Sequence, residues 1–204
     1  LGLLIGFFNF KLLKKDDSLF QNQEDNERLK FSDKRVFPSL IIASFLGIAN
    51  ACIVLTSSLY VNDVILKNPE DLYFFVSIGF AIVALSGLIT QLFIVDKYSL
   101  NPKSLVFIGL FLMSIVFYML SNVEEIISFY ILLAIFGFGG GLARPGNVTI
   151  LSLSINRNEQ GSASGMMGTV FPLGHIITPF SIIPMYMICL LYTTPSPRES
   201  WEYH

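Results

Sequence analysis

The sequence predicts an all-α, polytopic transmembrane helix bundle, because five apolar stretches recur along its 204 residues. Each stretch is close to the roughly 20 residues that a helix needs to cross a bilayer, and lipid cannot satisfy the exposed backbone of a strand or loop. The predicted spans are Phe37–Val61, Leu72–Val95, Ser104–Leu120, Ile126–Leu153 and Ser162–Met187. The alternative, a soluble core of buried helices, would leave too little polar surface to cover five such segments.

Basic residues predict which loops face the cytoplasm. Ten Lys and Arg residues lie in loops 11–36, 96–103 and 154–160, whereas the two intervening loops hold only Lys67 beside several acids. Positively charged loops stay in the cytoplasm, so the first span runs from inside to outside and the directions then alternate. We therefore expect a multi-pass protein of the plasma membrane. The many Lys, Asn, Ile and Phe residues point to an AT-rich genome and so to a bacterial inner membrane.

Four segments are predicted along the chain. Residues 1–10 form an apolar run with basic residues after it, which indicates the end of a truncated transmembrane helix and not a signal peptide. Residues 11–36 mix charges of both signs and predict a flexible or partly helical cytoplasmic loop. Residues 37–188 form the transmembrane domain. Residues 189–204 resemble translated adaptor read-through and are expected to be a non-native tail; an ordinary exposed loop is the alternative.

The sequence lacks the common catalytic and metal-binding patterns. It has two Cys and two His, and it contains no CxxC pair, HExxH, GxSxG, GxGxxG or phosphate-binding loop. We therefore expect no enzyme activity, no cofactor, no metal site and no nucleic-acid partner.

The fourth span carries a glycine-rich segment with one charge. Gly137, Gly141 and Arg144 share a helical face, and glycines allow close approach of a neighbouring backbone. With Pro145 and Gly146 they predict a helix that packs closely and bends. Arg144 inside lipid costs on the order of 3 kcal/mol, so it is expected to face protein, water or a partner and to serve a structural or gating role. Snorkelling to the cytoplasmic interface, over roughly 13 Å at 1.5 Å per residue, is the alternative.

The fifth span places small residues and one histidine on a single stripe. The helical spacing of 4, 3, 4, 3 and 4 residues aligns Gly161, Gly165, Gly168, Pro172, His175 and Pro179. Such a face packs on another helix or lines a cavity, so its glycines and prolines are candidate close-packing and hinge positions. His175 lies mid-span, where an ionisable residue is a functional candidate, and it can carry a proton near neutral pH. A neutral histidine bonded to a neighbouring helix is the alternative.

Polar residues in the first two spans are weaker candidates. Asn50 shares a face with Ala43, Gly47 and Ser57, and Gln91 lies beside the face of Gly79, Ser86 and Thr90. Hydrogen bonds between helices, worth about 0.6 kcal/mol each, are the expected role of such residues. Lining a transport path is the alternative for Asn50 and Gln91.

Several of these segments resemble the major facilitator superfamily of transporters. GLARPG at 141–146, SLS at 152–154, EQGSASG at 159–165 and LGHIITP at 173–179 are similar to helices ten and eleven of that family. The closest resemblance is to the twelve-helix drug:proton antiporter branch. QLFIVDK at 91–97 is similar to the family's loop between helices eight and nine. The resemblance covers residues 1–186.

The resemblance implies that this chain is a C-terminal half. Residues 1–10 would end helix six, the five spans would be helices seven to eleven, and a missing N-terminal half would complete the protein. It implies an alternating-access transporter in the lipid bilayer that exports a small lipophilic or cationic molecule in exchange for protons, with Asp96 and Lys97 as a cytoplasmic loop gate. The alternatives are an importer of a sugar, osmolyte or metabolite and, from another class, a membrane-embedded enzyme or sensor.

Overall fold

The computed structural model describes residues 29–61, 72–95, 101–121, 123 and 125–193. Within these ranges every regular element is helical, which confirms the predicted all-α class. The helices are α1 (Phe37–Tyr60), α2 (Leu72–Thr90), α3 (Pro102–Leu120), α4 (Ile126–Leu153) and α5 (Gln160–Thr193). A π-helical turn, Gln91–Val95, continues α2, and a 3₁₀ turn, Arg157–Glu159, precedes α5.

The helix bounds follow the apolar pattern of the sequence. In the described residues, α1 to α4 are long and apolar enough to cross a membrane, with mean hydropathies of 2.1 to 2.3. Helix α4 begins and ends at the predicted residues, and α3 begins two residues early at Pro102. There the Asn101 side chain accepts a hydrogen bond from the Lys103 amide at 3.1 Å, and proline fits the first helical position. The fifth predicted span lies inside the longer helix α5.

Prolines do not end the helices that contain them. Helix α4 is continuous through Pro145, and α5 is continuous through Pro172, Pro179 and Pro184. Each proline removes one backbone hydrogen bond from its helix, so these positions need less energy to bend than their neighbours. Their role as hinges stays a prediction.

Helix α4 is the centre of the bundle. It packs against α2 on one side and α3 on the other, while α1 pairs with α5 and reaches α4 less extensively. The main apolar core contains buried Leu133 and Phe136 of α4, Val116 of α3 and Leu46 of α1. A second apolar cluster lies at the predicted cytoplasmic end, where Val36 packs with residues of α1 and α5. The α4 side chains therefore contact every other helix and control the space between them.

Glycines set the closest helix contacts. A Cβ added to Gly141 would lie 2.7 Å from the Gly87 carbonyl oxygen of α2, and one added to Gly139 would lie 2.8 Å from the Gly109 carbonyl oxygen of α3. On the other side of the bundle, a Cβ on Gly174 of α5 would meet the backbone of Gly47 in α1 at less than 3 Å. Any larger residue at these positions forces a pair of helices apart.

The predicted stripe on α5 lies on an open face of the described structure. A Cβ added to Gly161, Gly165 or Gly168 would meet no atom of the described residues within 4 Å. Pro172 and His175 are also exposed, and Pro179 is half-buried. The helix face that does pack on α1 contains Gly174 instead. Close packing by the stripe stays a prediction about whatever covers this face.

Two hydroxyl groups differ from their predicted role. Ser86 and Thr90 were expected to bond across helices, but the Ser86 hydroxyl donates to the Val83 carbonyl at 3.1 Å and the Thr90 hydroxyl to the Ser86 carbonyl at 2.7 Å. Both acceptors belong to α2 itself. A hydroxyl in a helix reaches the carbonyl three or four residues before it without help from a neighbour, and this local bond is the one that forms.

The predicted cytoplasmic loop is described only near its end. Residues 29–36 form turns, and Leu29 and Val36 are buried in the second apolar cluster. The predicted helix end at residues 1–10, residues 11–28 of the loop, the gate residues Asp96 and Lys97, and residues 194–204 of the predicted tail lie outside the described residues.

Candidate transport cavity

A cavity of about 750 Å³ lies between the helices. All five described helices contribute to its wall, including Asn50 of α1, Met113 of α3, Arg144 of α4 and Phe171 of α5, and Gln91 follows α2. Sites for small molecules span roughly 300–1,000 Å³ and are mostly apolar with a few placed polar groups. The cavity therefore has the size and lining of a small-molecule site.

The structure brings together the predicted candidates of three separate spans. Arg144, Asn50 and Gln91 all line the cavity, as do Gly137, Gly141 and Pro145. The helical face inferred for Gly137, Gly141 and Arg144 lines the cavity, and both glycines there also pack closely against α2. Gly146 lies off this face, and its Cβ position meets Leu105 of α3 at 3.0 Å.

Arg144 contacts an aromatic ring and carries its charge into the cavity. Its Cζ atom lies over the Phe171 ring, 4.8 Å from the ring centroid. Within the described part of the chain, its guanidinium forms no hydrogen bond or ion pair. A cation–π contact is worth about 0.5–2 kcal/mol, which is less than the cost on the order of 3 kcal/mol of an arginine in a membrane span. Arg144 is itself exposed, so both its structural or gating role and snorkelling stay predictions, and its N–H donors are left for another partner.

Two amides supply the remaining free polar groups of the described wall. Neither the Asn50 nor the Gln91 side chain has a hydrogen-bond partner among residues that the structure describes, and each offers two donors and one acceptor. The Thr149 hydroxyl, by contrast, donates to the Pro145 carbonyl at 2.9 Å. The rest of the wall is largely apolar and includes Phe80 and Phe136.

His175 lies next to the cavity wall and not in it. Its ring is exposed, and its centroid is 6.0 Å from that of Phe171 at an interplanar angle of 49°. Phe171 therefore contacts both Arg144 and His175. The described structure shows no hydrogen bond from His175 to a neighbouring helix, so the ring stays available to solvent or to another part of the protein.

The sequence analysis missed two residues of this region, Phe171 and Asn147. Phe171 is one of 19 phenylalanines, and nothing in its spacing points to Arg144. Asn147 is buried, and its Nδ2 donates to the Ser39 carbonyl at 2.9 Å, which joins α4 to α1. Its position three residues after Arg144, in an apolar span, is a signal that could have identified it.

An ion-pair cluster lies at the predicted cytoplasmic end of the helix bundle. Arg35, just before α1, bonds both Asp33 and Glu159, the latter just before α5. Glu159 Oε2 also accepts the Asn156 amide at 2.9 Å, within a reciprocal capping box. The Asn156 amide and then Arg35 hold the pKa of Glu159 below its usual range. Arg35 likewise lowers the pKa of Asp33, and Asp33 and Glu159 raise the pKa of Arg35.

Long apolar helices packed around a cavity are typical of a polytopic membrane protein. The family model of the Major Facilitator Superfamily matches residues 1–179. The chain belongs to this superfamily and is a multi-pass membrane transporter, a class that sits in the lipid bilayer and carries small molecules. Its members are typically transporters and not enzymes. No curated protein and no solved structure showed significant similarity to the chain.

Proposed function

We propose that this chain is the C-terminal half of a proton-coupled exporter of small lipophilic molecules in a bacterial inner membrane. It works by alternating access together with an N-terminal half of the same protein. The observation that carries the proposal is the cavity, because residues of all five described helices converge on it. Four of its lining residues are polar: Asn50, Gln91, Arg144 and Thr149. In transporters of this kind the substrate binds between repeats near the bilayer midplane.

The wall supports a lipophilic cargo. Phe80, Phe136 and Phe171 provide apolar surface, and the charge on the described wall is the positive charge of Arg144. Of the two cargo classes implied by the drug antiporter resemblance, the lipophilic class fits this wall better than the cationic class. A sugar would need more hydrogen-bonding groups than Asn50, Gln91 and Arg144 supply, so the importer alternative is less well supported.

Proton coupling is assigned to His175. An ionisable residue in a membrane span is a functional candidate by default, and imidazole is a common proton carrier in proteins. The His175 ring contacts Phe171, which lines the cavity and also contacts Arg144, and this proximity supports the assignment. The loop residues Asp96 and Lys97 are proposed as the cytoplasmic gate.

Transport by the purified full-length protein, which includes the proposed N-terminal half, tests the proposal in proteoliposomes. Vesicles with a pH gradient are given one of four probes: a lipophilic neutral probe (2-naphthol), a lipophilic anion (2-naphthoate), a lipophilic cation (ethidium) or glucose. Probe movement and internal pH are followed together. We expect coupled movement of a lipophilic probe that a protonophore abolishes, and loss of coupling in His175→Gln. Movement of glucose alone supports the importer, and rates equal to those of protein-free vesicles for every probe contradict the proposal.

A further inference from the structure

We infer that the cavity binds a carboxylate: its substrate is a small molecule with an apolar body and one carboxylate group that accepts hydrogen bonds from Arg144. The inference rests on the proposed function, because it assigns a substrate class to the same cavity. It narrows the lipophilic cargo to a lipophilic anion.

The charge on the cavity wall is the first reason. Arg144 lines the cavity, and no Asp or Glu is among the described residues that do so. Its guanidinium also lacks a hydrogen-bond acceptor in the part of the chain that the structure describes. A guanidinium is always charged and presents planar N–H donors that match both oxygens of a carboxylate. A carboxylate in the cavity would supply the missing acceptor.

The second reason is the arrangement of the residues around Arg144. The Cζ atom of Arg144 lies over the face of the Phe171 ring at 4.8 Å. This contact is not a hydrogen bond, so the N–H donors of the guanidinium have no acceptor among the described residues and are left for a ligand. The amides of Asn50 and Gln91 lie on the same wall and provide further donors, while Phe80 and Phe136 offer surface for an apolar body.

The acceptor for Arg144 could instead be a carboxylate of the protein itself, supplied by a segment outside the described residues. The two explanations differ in what the cavity prefers. A protein carboxylate would neutralise Arg144, and the cavity would then bind a neutral and an anionic probe equally well. A substrate carboxylate makes the preference depend on Arg144.

Probe binding separates them. The protein in lipid nanodiscs at neutral pH is equilibrated by dialysis with 2-naphthoate, its neutral amide 2-naphthamide and the cation 2-naphthylmethylammonium, which share one apolar body. We expect 2-naphthoate to bind roughly tenfold or more tightly than the amide, since hydrogen bonds to charged groups have that strength, and the cation to bind most weakly. Arg144→Gln should remove the preference, and Arg144→Lys should keep part of it.

Arg157→Gln is the matched control, because Arg157 is exposed in the turn before α5 and does not line the cavity. The Arg157→Gln variant should prefer 2-naphthoate over the amide as strongly as the wild-type protein does. Three outcomes overturn the inference: equal affinity for the three probes, no saturable binding of 2-naphthoate, or an unchanged preference in Arg144→Gln. If Arg144→Gln does not fold, the affinities of the wild-type protein for the three probes still test the inference.

The failure of this inference and the failure of the proposed function are distinguishable. Coupled transport of a neutral probe, with no preference for the anion, overturns the inference alone. Binding of 2-naphthoate through Arg144 without movement of any probe across proteoliposomes overturns the proposed transport alone.

Discussion

Arg35 and Glu159 form a two-point ion pair across 124 positions of sequence. Arg35 Nη1 donates to Glu159 Oε2 at 3.2 Å and Arg35 Nη2 donates to Oε1 at 3.0 Å. The Glu159 side chain is only 6 % exposed, and its other bond, from the Asn156 amide, fixes the first turn before α5. The pair therefore ties the entrance of α1 to the entrance of α5 at the predicted cytoplasmic end.

The first prediction concerns this ion pair. Glu159→Gln should lower the midpoint of thermal unfolding, because the amide keeps the size of the side chain but cannot accept two charged donors. The exposed Glu125, whose side chain does not cap α4, provides the control Glu125→Gln, which should leave the midpoint unchanged. A double-mutant cycle with Arg35→Gln measures the coupling. If the two substitutions add independently, the ion pair does not stabilise the fold.

The second prediction concerns pH. The folded pKa of Glu159 lies below its usual value, so the stabilisation is complete above the ordinary glutamate pKa of about 4.3 and is lost as the pH falls through the lower folded value. Unfolding midpoints measured from neutral pH to about pH 3 should fall more steeply for the wild-type protein than for Glu159→Gln. Parallel curves for the two proteins would contradict this prediction. The Asp33→Asn variant separates the contribution of the neighbouring Asp33 carboxylate.

The third prediction concerns the contact between α1 and α5. Gly174→Ala should destabilise the fold by about 1–3 kcal/mol, because the added methyl group meets the Gly47 backbone at less than 3 Å. Gly165→Ala on the same helix is the control, since a Cβ there meets no atom of the described residues. Denaturation of both variants in detergent gives the comparison. An equal loss of unfolding free energy in both variants would show that another segment packs on the open face of α5.

The fourth prediction separates cavity volume from helix packing. Gly140 lines the cavity, and a Cβ there meets nothing within 4 Å. Gly140→Leu should therefore fill the cavity and reduce transport by roughly tenfold or more, while stability changes within about 0.5 kcal/mol apart from a gain in helix propensity. The neighbouring Gly141→Ala should instead cost about 1–3 kcal/mol, because its Cβ meets the Gly87 carbonyl oxygen at 2.7 Å. Full transport by Gly140→Leu would place the substrate elsewhere.

Apolar length and helical spacing predicted the helices and part of the site. The bounds of α4 follow directly from the run Ile126–Leu153, because an apolar segment in lipid has few structures available to it. The grouping of Gly137, Gly141 and Arg144 also followed from the sequence, since residues four and seven apart share a helical face. Helix bounds and shared helical faces depend only on the sequence of one helix.

Contacts between helices were not predictable from the sequence. The Phe171 ring under Arg144 and the meeting of Gly174 with Gly47 depend on how α5 rotates about its axis, and a mixed stripe of glycines and prolines does not fix that rotation. The sequence predicted that the stripe through Gly168 packs on another helix or lines a cavity, whereas α1 covers the neighbouring face of α5. The ion pair of Arg35 with Glu159 joins segments so far apart in sequence that no periodic pattern connects them.

The hydroxyl groups have a consequence for motion. Ser44, Thr56, Ser77, Ser114, Thr149 and Thr178 each donate to a carbonyl of their own helix, as Ser86 and Thr90 do. These groups carry their bonding partners with them when a helix shifts. A displacement of one helix along another would break none of these bonds, whereas bonds that cross between helices, such as that of Asn147 to the Ser39 carbonyl, would have to break. The surfaces that carry these hydroxyl groups therefore resist sliding only through their shape. Such surfaces let a membrane protein exchange two packed arrangements without exposing an unpaired hydroxyl to lipid.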